Sequence, residues 1–234
     1  MAAGLGVGAG PGDVVVSIGT SGTVFASSEV PTADATGIIA GFADALGGYL
    51  PLVCTLNASR VLDAMGAVLG VDYAEFDALA LSVPDAGGLV FLPYLEGERT
   101  PNLPDATASL HGVTRANSTP ARFARAAVEG MICGLAAGLT ALQDAGVACR
   151  RVLLVGGGAQ STAVAQIAAE VFGLPVVVPE PGEYVAAGAA RQAAWTLTGE
   201  LPQWDSGRSR TVEAGAKPSI LQRFTDVRRA VHPL

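Results

Sequence analysis

One stretch decides the fold: Val14-Val-Val-Ser-Ile-Gly-Thr-Ser-Gly-Thr23, which continues into Val24-Phe-Ala26. The β-branched run predicts strands over 14–17 and 23–27, joined by a tight turn of glycine and hydroxyl residues. Glycine permits a close approach of backbone to ligand and a positive φ, and free N–H groups in such a turn bind anions. We therefore predict a hairpin that holds phosphate. The alternative is an ordinary hairpin whose Ser and Thr side chains satisfy the turn.

A second glycine turn, Gly156-Gly-Gly-Ala-Gln-Ser161, joins a strand predicted over 151–155 to a helix predicted over 162–172. In one interpretation, the phosphates of a dinucleotide lie on the helix N-terminus and Glu180 holds the ribose. In the other, adenine or ribose lies flat on bare glycine backbone while the phosphates reach the first hairpin. Only the second interpretation gives both turns a role.

The composition is that of a core-rich globular protein. Half of the 234 residues are hydrophobic, and 14 basic against 21 acidic residues give a net charge of −7. This balance argues against a nucleic-acid partner. The three cysteines, Cys54, Cys133 and Cys149, have no C-x-x-C spacing and indicate buried thiols rather than a disulfide or zinc framework. With no basic signal segment and no membrane-spanning apolar run, we expect a cytoplasmic protein without a membrane partner.

The rest of the chain alternates between helical and extended patterns. Apolar spacing predicts helices over 57–69 and 73–82, and Ser118-Thr119-Pro120 predicts the start of the longest helix, which ends near residue 144. A strand is predicted over 89–92, and the proline-containing stretch 94–118 is expected to be a functional loop or a connection over a cleft. The remaining predictions are a small-residue helix end with its cap at Gly4–Gly10, a strand at 175–178, a helix at 184–198, a polar surface segment at 199–219, and a helix at 220–231.

In this order and spacing, the motifs resemble those of the FGGY family of carbohydrate kinases over nearly the whole chain. The hairpin resembles the family's second phosphate motif, and Val155–Ser161 resembles its adenosine motif. Phe91-Leu-Pro-Tyr-Leu-Glu-Gly-Glu-Arg-Thr-Pro101 resembles a segment typical of the xylulokinases within the family. The block 109–129 resembles the second family signature, although Arg122 stands where an acidic residue, an amide or His is usual. The chain is thus similar to the C-terminal half of a two-domain sugar kinase.

The resemblance implies an α/β fold of the actin-like ATPase (ribonuclease H-like) class, with a mixed sheet flanked by helices. It implies ATP and Mg²⁺ as cofactors, with ATP in a cleft between two such domains. It assigns the ATP phosphates to Gly19, Thr20 and Ser21. It assigns adenosine to Gly157, Gly158, Gln160 and Ser161. The expected division is an ATP-binding domain over 1–205, followed by a polar segment and C-terminal helix over 206–234.

The resemblance also implies a second half that lies outside this chain. The family's N-terminal domain carries the sugar site, and its catalytic Asp belongs to a Gly-Gly-Asp-Asn segment that would end just before Met1. We therefore expect no catalytic base and no metal site in this chain, and little or no kinase activity from it alone. The sugar, D-xylulose by the resemblance, would bind through the other domain. The surface left exposed predicts association, such as a homodimer.

The charged residues of the chain offer no evident substitute for that base. Sugar phosphorylation needs a general base, a Mg²⁺ site and phosphate positioning, and no close pair of carboxylates stands out. Glu96, Glu98 and Asp105 are expected to be solvated or paired with Arg99, while Arg99 either faces the cleft and the γ-phosphate or fixes the loop by a salt bridge. Two rival functions stay open: a non-catalytic nucleotide-binding or assembly module, and an NAD-binding domain built on Gly156–Ser161.

Overall fold

The computed structural model describes residues 1–204 and 207–233. Within these ranges the strands are β1 (Asp13–Ile18), β2 (Gly22–Ala26), β3 (Ala40–Ala43), β4 (Tyr49–Thr55), β5 (Val90–Leu92), β6 (Ser109–His111), β7 (Arg151–Val155), β8 (Val176–Pro179) and β9 (Ser209–Val212). The helices are α1 (Ala2–Val7), α2 (Ser59–Leu69), α3 (Tyr73–Leu81), α4 (Pro120–Asp144), α5 (Thr162–Phe172), α6 (Tyr184–Thr198) and α7 (Pro218–Val231). A 3₁₀ turn over Gly157–Gln160 joins β7 to α5.

Seven of the described strands form one mixed sheet in the order β3-β4-β2-β1-β7-β8-β9. β1 is parallel to β7 and β7 to β8, whereas the other neighbours are antiparallel. Strand β1 is buried on both faces along nearly its whole length, which explains why its valine run does not alternate with polar residues. The predicted α/β fold with a mixed sheet flanked by helices is confirmed.

Most elements agree with the sequence, and four strands were not predicted. β1 and β2 form the predicted hairpin, with Ser17 opposite Thr23. β3 and β9 are short, largely exposed edge strands, where burial imposes no hydrophobic pattern. Pro51 interrupts the apolar run of β4, and β6 lies in the expected loop. The expected division between residues 205 and 206 lies outside the described residues, as does Leu234.

Helix α4 lies in the main hydrophobic core, between the sheet strands β2 and β4 and the helices α2, α3, α5 and α7. It begins after Thr119, whose side chain accepts the N–H of Arg122, as predicted from the Ser-Thr-Pro signal. By length and composition it is long and apolar enough to span a membrane, but 72% of its apolar window is buried inside the protein. Packing within the fold therefore accounts for its apolar character.

A buried ionic cluster joins three of these helices. Arg125 of α4 is 2% exposed and donates from Nε to Glu129 Oε1 at 2.7 Å and from Nη2 to Glu170 of α5. Lys217, next to the start of α7, lies 3.0 Å from Glu170 Oε1. Burial raises the pKa of Glu129, and Arg125 opposes that rise. The cluster satisfies each buried charge, which an interior position requires.

The first helix crosses α6 at two glycines. A methyl group on Gly6 would lie 1.9 Å from the carbonyl oxygen of Tyr184, and one on Gly188 would lie 1.8 Å from that of Ala2. Only glycine therefore fits at this crossing. Gly8 ends α1 with φ 71°, which confirms the predicted helix end and cap. In α6 only Gly188 is fully buried, and exposed side chains such as Val185 and Leu197 form an open face on this helix.

Candidate nucleotide site

The two glycine turns lie side by side at one edge of the sheet. β1 and β7 are parallel neighbours with Ser17 opposite Val155, so both turns follow strand carboxyl ends, where open α/β sheets bind ligands. Gly156, with φ 95°, and Gly158 pack on Ile18: methyl groups there would lie 2.5 Å from its carbonyl oxygen and 2.3 Å from its Cγ2. The structure thus brings the two predicted halves of the site into contact.

The N-terminus of α2 orients the backbone of the first turn. The carbonyl oxygens of Gly19 and Thr20 accept hydrogen bonds from the N–H groups of Ser59, at 2.8 Å, and Ala58, at 3.2 Å. The N–H groups of Thr20 and Ser21 have no partner within residues 1–204 and 207–233, and both residues are exposed. Adjacent N–H groups presented in this way form an anion-binding concavity.

The glycines of the first turn serve packing rather than an unusual backbone conformation. Neither Gly19 nor Gly22 has a positive φ, so that part of the sequence expectation is wrong. A methyl group on Gly22 would lie 2.6 Å from Leu135 Cδ2 and 2.7 Å from Thr55 Oγ1. One on Gly19 would have 3.6 Å to its nearest neighbour. Gly22 therefore lets the hairpin rest on α4, and Gly19 leaves room beside the turn.

The second turn borders a pocket of about 480 Å³ that is also walled by α2 and α3. This volume lies within the usual range of small-molecule sites. The pocket lining includes all four residues predicted to hold adenosine, namely Gly157, Gly158, Gln160 and Ser161. The other lining residues are Ser59, Leu62, Asp63, Tyr73, Ala74 and Asp77. Nothing lies within 4 Å of a methyl position on Gly157, so its backbone is bare toward open space.

A neighbouring pocket of about 390 Å³ shares Gly157 and Gln160 with the first. It is lined by Ser17 on one strand end and by Glu180 and Glu183 on the segment between β8 and α6. Glu180 is the carboxylate that the dinucleotide interpretation assigns to the ribose. It lines this second pocket and not the one that holds the four predicted adenosine residues.

A carboxylate of the protein already occupies the N-terminus of α5. Asp77 of α3 accepts hydrogen bonds from Ser161 Oγ at 2.6 Å, from the N–H of Thr162 at 2.6 Å and its hydroxyl at 2.9 Å, and from the N–H of Ala163 at 3.3 Å. Ser161 Oγ accepts the N–H of Val164 at 3.0 Å. The first three N–H groups of α5 are thus satisfied, where a dinucleotide fold would bind pyrophosphate. This arrangement argues against the NAD interpretation.

The loop after β5 departs from the sequence expectation at Glu98. Arg99 is exposed and lines neither pocket. Glu98 is buried and accepts hydrogen bonds from the N–H of Leu56 at 2.5 Å, the N–H of Arg99 at 2.7 Å, and Asn57 Nδ2 at 3.0 Å. The expectation of a solvated or Arg99-paired Glu98 side chain is wrong, because this carboxylate fixes the segment that leads into α2. Glu96, by contrast, is exposed and pairs with Arg60 at 3.2 Å.

The described part of the chain offers no cluster of three or more His, Cys, Asp or Glu side chains for a metal ion. The first turn supplies hydroxyl and N–H groups but no carboxylate, so its residues do not fit a resident Mg²⁺ site. Mg²⁺ commonly binds through substrate phosphates with few protein ligands. In this part of the site the ion would therefore arrive with the nucleotide.

The sequence analysis gave no binding role to the other lining residues of the larger pocket, among them Asp63, Tyr73 and Asp77. They lie on helices whose apolar spacing predicts which face is buried. The spacing does not indicate what the polar residues of the other face bind. The partners of Asp77 are 84 to 86 residues away in sequence, so no local motif marks it. The sequence signal nearest to Tyr73 and Asp77 is the capping box of Asp72 and Glu75. It indicates where α3 begins but not what the side chains of α3 contact.

Comparison with known proteins agrees with this geometry. Residues 14–197 match the C-terminal domain of the FGGY family of carbohydrate kinases. Over 240 aligned positions the chain is 43% identical to a xylulose kinase of Streptomyces rubiginosus and 40% identical to that of Streptomyces coelicolor, in both cases across all of this chain and 48% of the relative. The crystal structure of xylulose kinase from Bifidobacterium adolescentis superposes with a TM-score of 0.88 at 46% identity, over 97% of this chain and 46% of that one.

The chain spans about half the length of the curated relatives it matches. Its structural neighbours are sugar kinases of the actin-like ATPase fold, which confirms the fold class expected from the motifs. The match covers both glycine turns and the helices that wall the larger pocket. The chain therefore belongs to the FGGY family of carbohydrate kinases, and residues 14–197 are its C-terminal domain.

Proposed function

We propose that this chain is the ATP-binding part of a cytoplasmic kinase that transfers the γ-phosphoryl group of ATP to D-xylulose, giving xylulose 5-phosphate and ADP. The sugar is proposed from two curated relatives, at 43% and 40% identity, that are both named xylulose kinase. One observation carries the nucleotide part of the proposal: Ile18 contacts Gly156 and Gly158. This contact supports the proposal because it brings the first and second glycine turns within the span of one nucleotide.

The charges of the site support one orientation of that nucleotide. Asp63 and Asp77 line the larger pocket, and none of its lining residues is Lys or Arg. Two carboxylates in a partly enclosed pocket repel phosphate, so this pocket takes the base and ribose. The phosphates then lie on the free N–H groups of Thr20 and Ser21.

The chain's own residues would bind and orient the nucleotide. The N-terminus of α2 holds the carbonyl side of the first turn, which leaves its N–H side for the phosphates. Mg²⁺, when bound with ATP, neutralises charge that develops on the transferred group. We place the sugar site and the general base in the part of such kinases that this chain does not cover. The open face of α6 is where we propose that this other part docks.

Calorimetry with MgATP, MgADP and NAD⁺ tests the nucleotide assignment. We expect ATP and ADP to bind to the 234-residue chain and NAD⁺ not to bind. Binding of NAD⁺ alone, or of no nucleotide, contradicts the proposal.

A second experiment tests phosphoryl transfer. The chain alone should phosphorylate D-xylulose weakly or not at all, whereas its fusion to the N-terminal half of the Streptomyces rubiginosus xylulose kinase should be active. Full activity of the chain alone contradicts the placement of the base. A folded fusion that binds ATP and D-xylulose but transfers no phosphoryl group favours the non-catalytic module instead.

A further inference from the structure

We propose that Glu98 is a positioning residue for the phosphates of ATP, although it lies on a loop that lines neither pocket of the site. It acts through the segment 55–59, which runs from the end of β4 to the start of α2 and supports the first glycine turn. The inference rests on the proposed function, because it takes the N–H groups of Thr20 and Ser21 to hold the phosphates.

The Glu98 carboxylate binds this segment at two points. Its Oε1 atom accepts the N–H of Leu56 at 2.5 Å, and its Oε2 atom accepts Asn57 Nδ2 at 3.0 Å. Oε1 also accepts the N–H of Arg99 within the loop, at 2.7 Å. The side chains of Glu98 and Asn57 are both buried, so water does not replace these hydrogen bonds when one of them is lost. The carboxylate therefore holds the segment 55–59 against the loop.

The amide of Asn57 is turned toward the loop as a donor. Its Nδ2 atom donates to the carbonyl oxygen of Gly97 at 2.7 Å as well as to Glu98. Its Oδ1 atom is buried and has no hydrogen-bond partner in the part of the chain that the structure describes. A buried acceptor without a partner costs stability, so the two acceptors that Nδ2 reaches are what keep this orientation. Glu98 thus helps to set how Asn57 lies.

The backbone of the segment carries this constraint to the first turn. The N–H of Ala58 donates to the carbonyl oxygen of Thr20 at 3.2 Å, and the N–H of Ser59 donates to that of Gly19 at 2.8 Å. Ala58 is the N-cap residue of α2 and makes no side-chain capping bond, so the carbonyls of the turn replace a capping side chain. The start of α2 and the orientation of the turn are therefore set together.

The effect of Glu98 should be specific to phosphate. Among the described residues, no hydrogen bond of Glu98 reaches the second glycine turn, which Asp77 anchors. The rest of α2 is held in the main core by buried apolar side chains, namely Val61, Leu62 and Met65. A displaced segment 55–59 would therefore misdirect the N–H groups of Thr20 and Ser21 and leave the adenosine pocket in place. Hydrogen bonds weaken steeply when donor and acceptor are misaligned.

Calorimetry on the 234-residue chain with Mg²⁺ tests the proposal by comparing ATP with adenosine, which lacks the phosphates. The first variant is Glu98→Gln. Its amide keeps an oxygen for the backbone N–H groups but turns an NH₂ group toward Asn57 Nδ2, so that two donors face each other. We expect this variant to bind ATP about tenfold more weakly, as the loss of one hydrogen bond to a charged group would give. Its affinity for adenosine should stay within about twofold of the wild-type value.

The second variant is Asn57→Ala. It removes the donor to Glu98 Oε2, while the two backbone N–H groups keep their acceptor. ATP affinity should fall in the same direction but by less, about threefold, with adenosine affinity unchanged. Since the two side chains act through one contact, the double variant should lose less ATP affinity than the two single losses combined.

Two other carboxylates serve as controls. Glu96 lies on the same loop but is exposed and pairs with Arg60, so Glu96→Gln tests whether any change in the loop disturbs ATP. Glu170 is buried like Glu98 but belongs to the ionic cluster with Arg125, so Glu170→Gln tests a general loss of stability. Both variants should keep the wild-type affinities for ATP and adenosine.

The outcomes distinguish the two proposals. If the wild-type chain does not bind ATP, the proposed function fails and the inference fails with it. If it binds ATP and Glu98→Gln binds it as tightly, Glu98 has no role in phosphate binding, and the inference is overturned while the nucleotide site stands. An equal loss of ATP affinity in Glu170→Gln, or an equal loss of adenosine affinity in Glu98→Gln, overturns it as well. Should circular dichroism show that Glu98→Gln does not fold, Asn57→Ala decides, and an unchanged ATP affinity in that variant overturns the proposal.

Discussion

Asp77 Oδ2 accepts the backbone N–H of Thr162 at 2.6 Å, so that a carboxylate of α3 caps α5 across 85 residues of sequence. The negative charge faces the positive end of the helix dipole, which stabilises the contact. The same contact anchors the second glycine turn, because Ser161 ends that turn and donates to the other Asp77 oxygen. One side chain thus stabilises the helix and anchors the turn that we propose to hold adenosine.

The first prediction concerns Asp77→Asn. Asparagine keeps one acceptor oxygen but turns an NH₂ group toward the N–H groups of α5. We expect the free energy of unfolding to fall by about 1–2 kcal/mol. ATP affinity should fall by about tenfold as the turn loses its anchor, which equals about 1.4 kcal/mol. Urea unfolding and calorimetry measure the two effects.

Asp34 provides a matched control for this variant. It accepts the N–H of Thr36 at 2.9 Å, the hydroxyl of Thr36 at 2.7 Å and the N–H of Ile39 at 2.7 Å, and it lines neither pocket. These contacts, led by that of Ile39, lower its pKa to about 2. Asp34→Asn should leave ATP affinity unchanged. Equal losses of affinity in both variants would show that Asp77 has no particular tie to the nucleotide.

The second prediction contrasts two adjacent glycines. A methyl group on Gly157 meets nothing within 4 Å, whereas one on Gly158 would lie 2.3 Å from Ile18 Cγ2. Gly157→Ala should therefore keep the stability of the chain but weaken ATP binding, because the methyl group enters the space proposed for the nucleoside. Gly158→Ala should lower the free energy of unfolding by about 1–3 kcal/mol through overpacking. Thermal unfolding measures the stability of the two variants, and calorimetry measures their affinity for ATP. Equal melting temperatures of the two variants would contradict the predicted difference in packing.

The two halves of the site were predictable because each is a local signal. Strand, glycine turn and strand or helix follow one another within about a dozen residues, and turn chemistry depends on such neighbours. The predicted strand ends at residue 17 and leaves Ile18 in the turn, whereas β1 includes it. The contact of Ile18 with Gly156 and Gly158 depends on β1 lying beside β7, and the sequence alone does not give that strand order.

The supporting carboxylates could not be predicted for a related reason. Glu98 sits in a loop of mixed polarity, and its hydrogen bonds reach back 41 or 42 residues to Asn57 and Leu56. A carboxylate that is buried to satisfy backbone N–H groups has the same local sequence context as a solvated one. Only the tertiary arrangement separates the two roles.

The third prediction tests the crossing of α1 and α6. A methyl group on Gly188 would lie 1.8 Å from the carbonyl oxygen of Ala2, and backbone cannot yield as a flexible side chain can. Gly188→Ala should lower the free energy of unfolding by at least about 2 kcal/mol. Gly134 of α4 is the control, since nothing lies within 4 Å of its methyl position. Gly134→Ala should be neutral or stabilise by up to about 1 kcal/mol, and a matching loss in both variants would contradict the close crossing.

The last prediction concerns the pH dependence of the buried ionic cluster. Burial raises the pKa of Glu129 above its ordinary value of 4.5, although Arg125 opposes the rise. As the pH rises above 4.5, Glu129 ionises in the unfolded chain while it is still protonated in the folded chain. The contribution of Glu129 to stability is therefore lost as the pH rises through its pKa in the folded chain. Glu129→Gln cannot titrate and escapes this loss, while its amide oxygen still accepts from Arg125. Relative to the wild type, the variant should therefore gain stability as the pH rises above about 4.5, as measured by urea unfolding. A relative gain of the wild type over this range would mean that pairing with Arg125 outweighs burial.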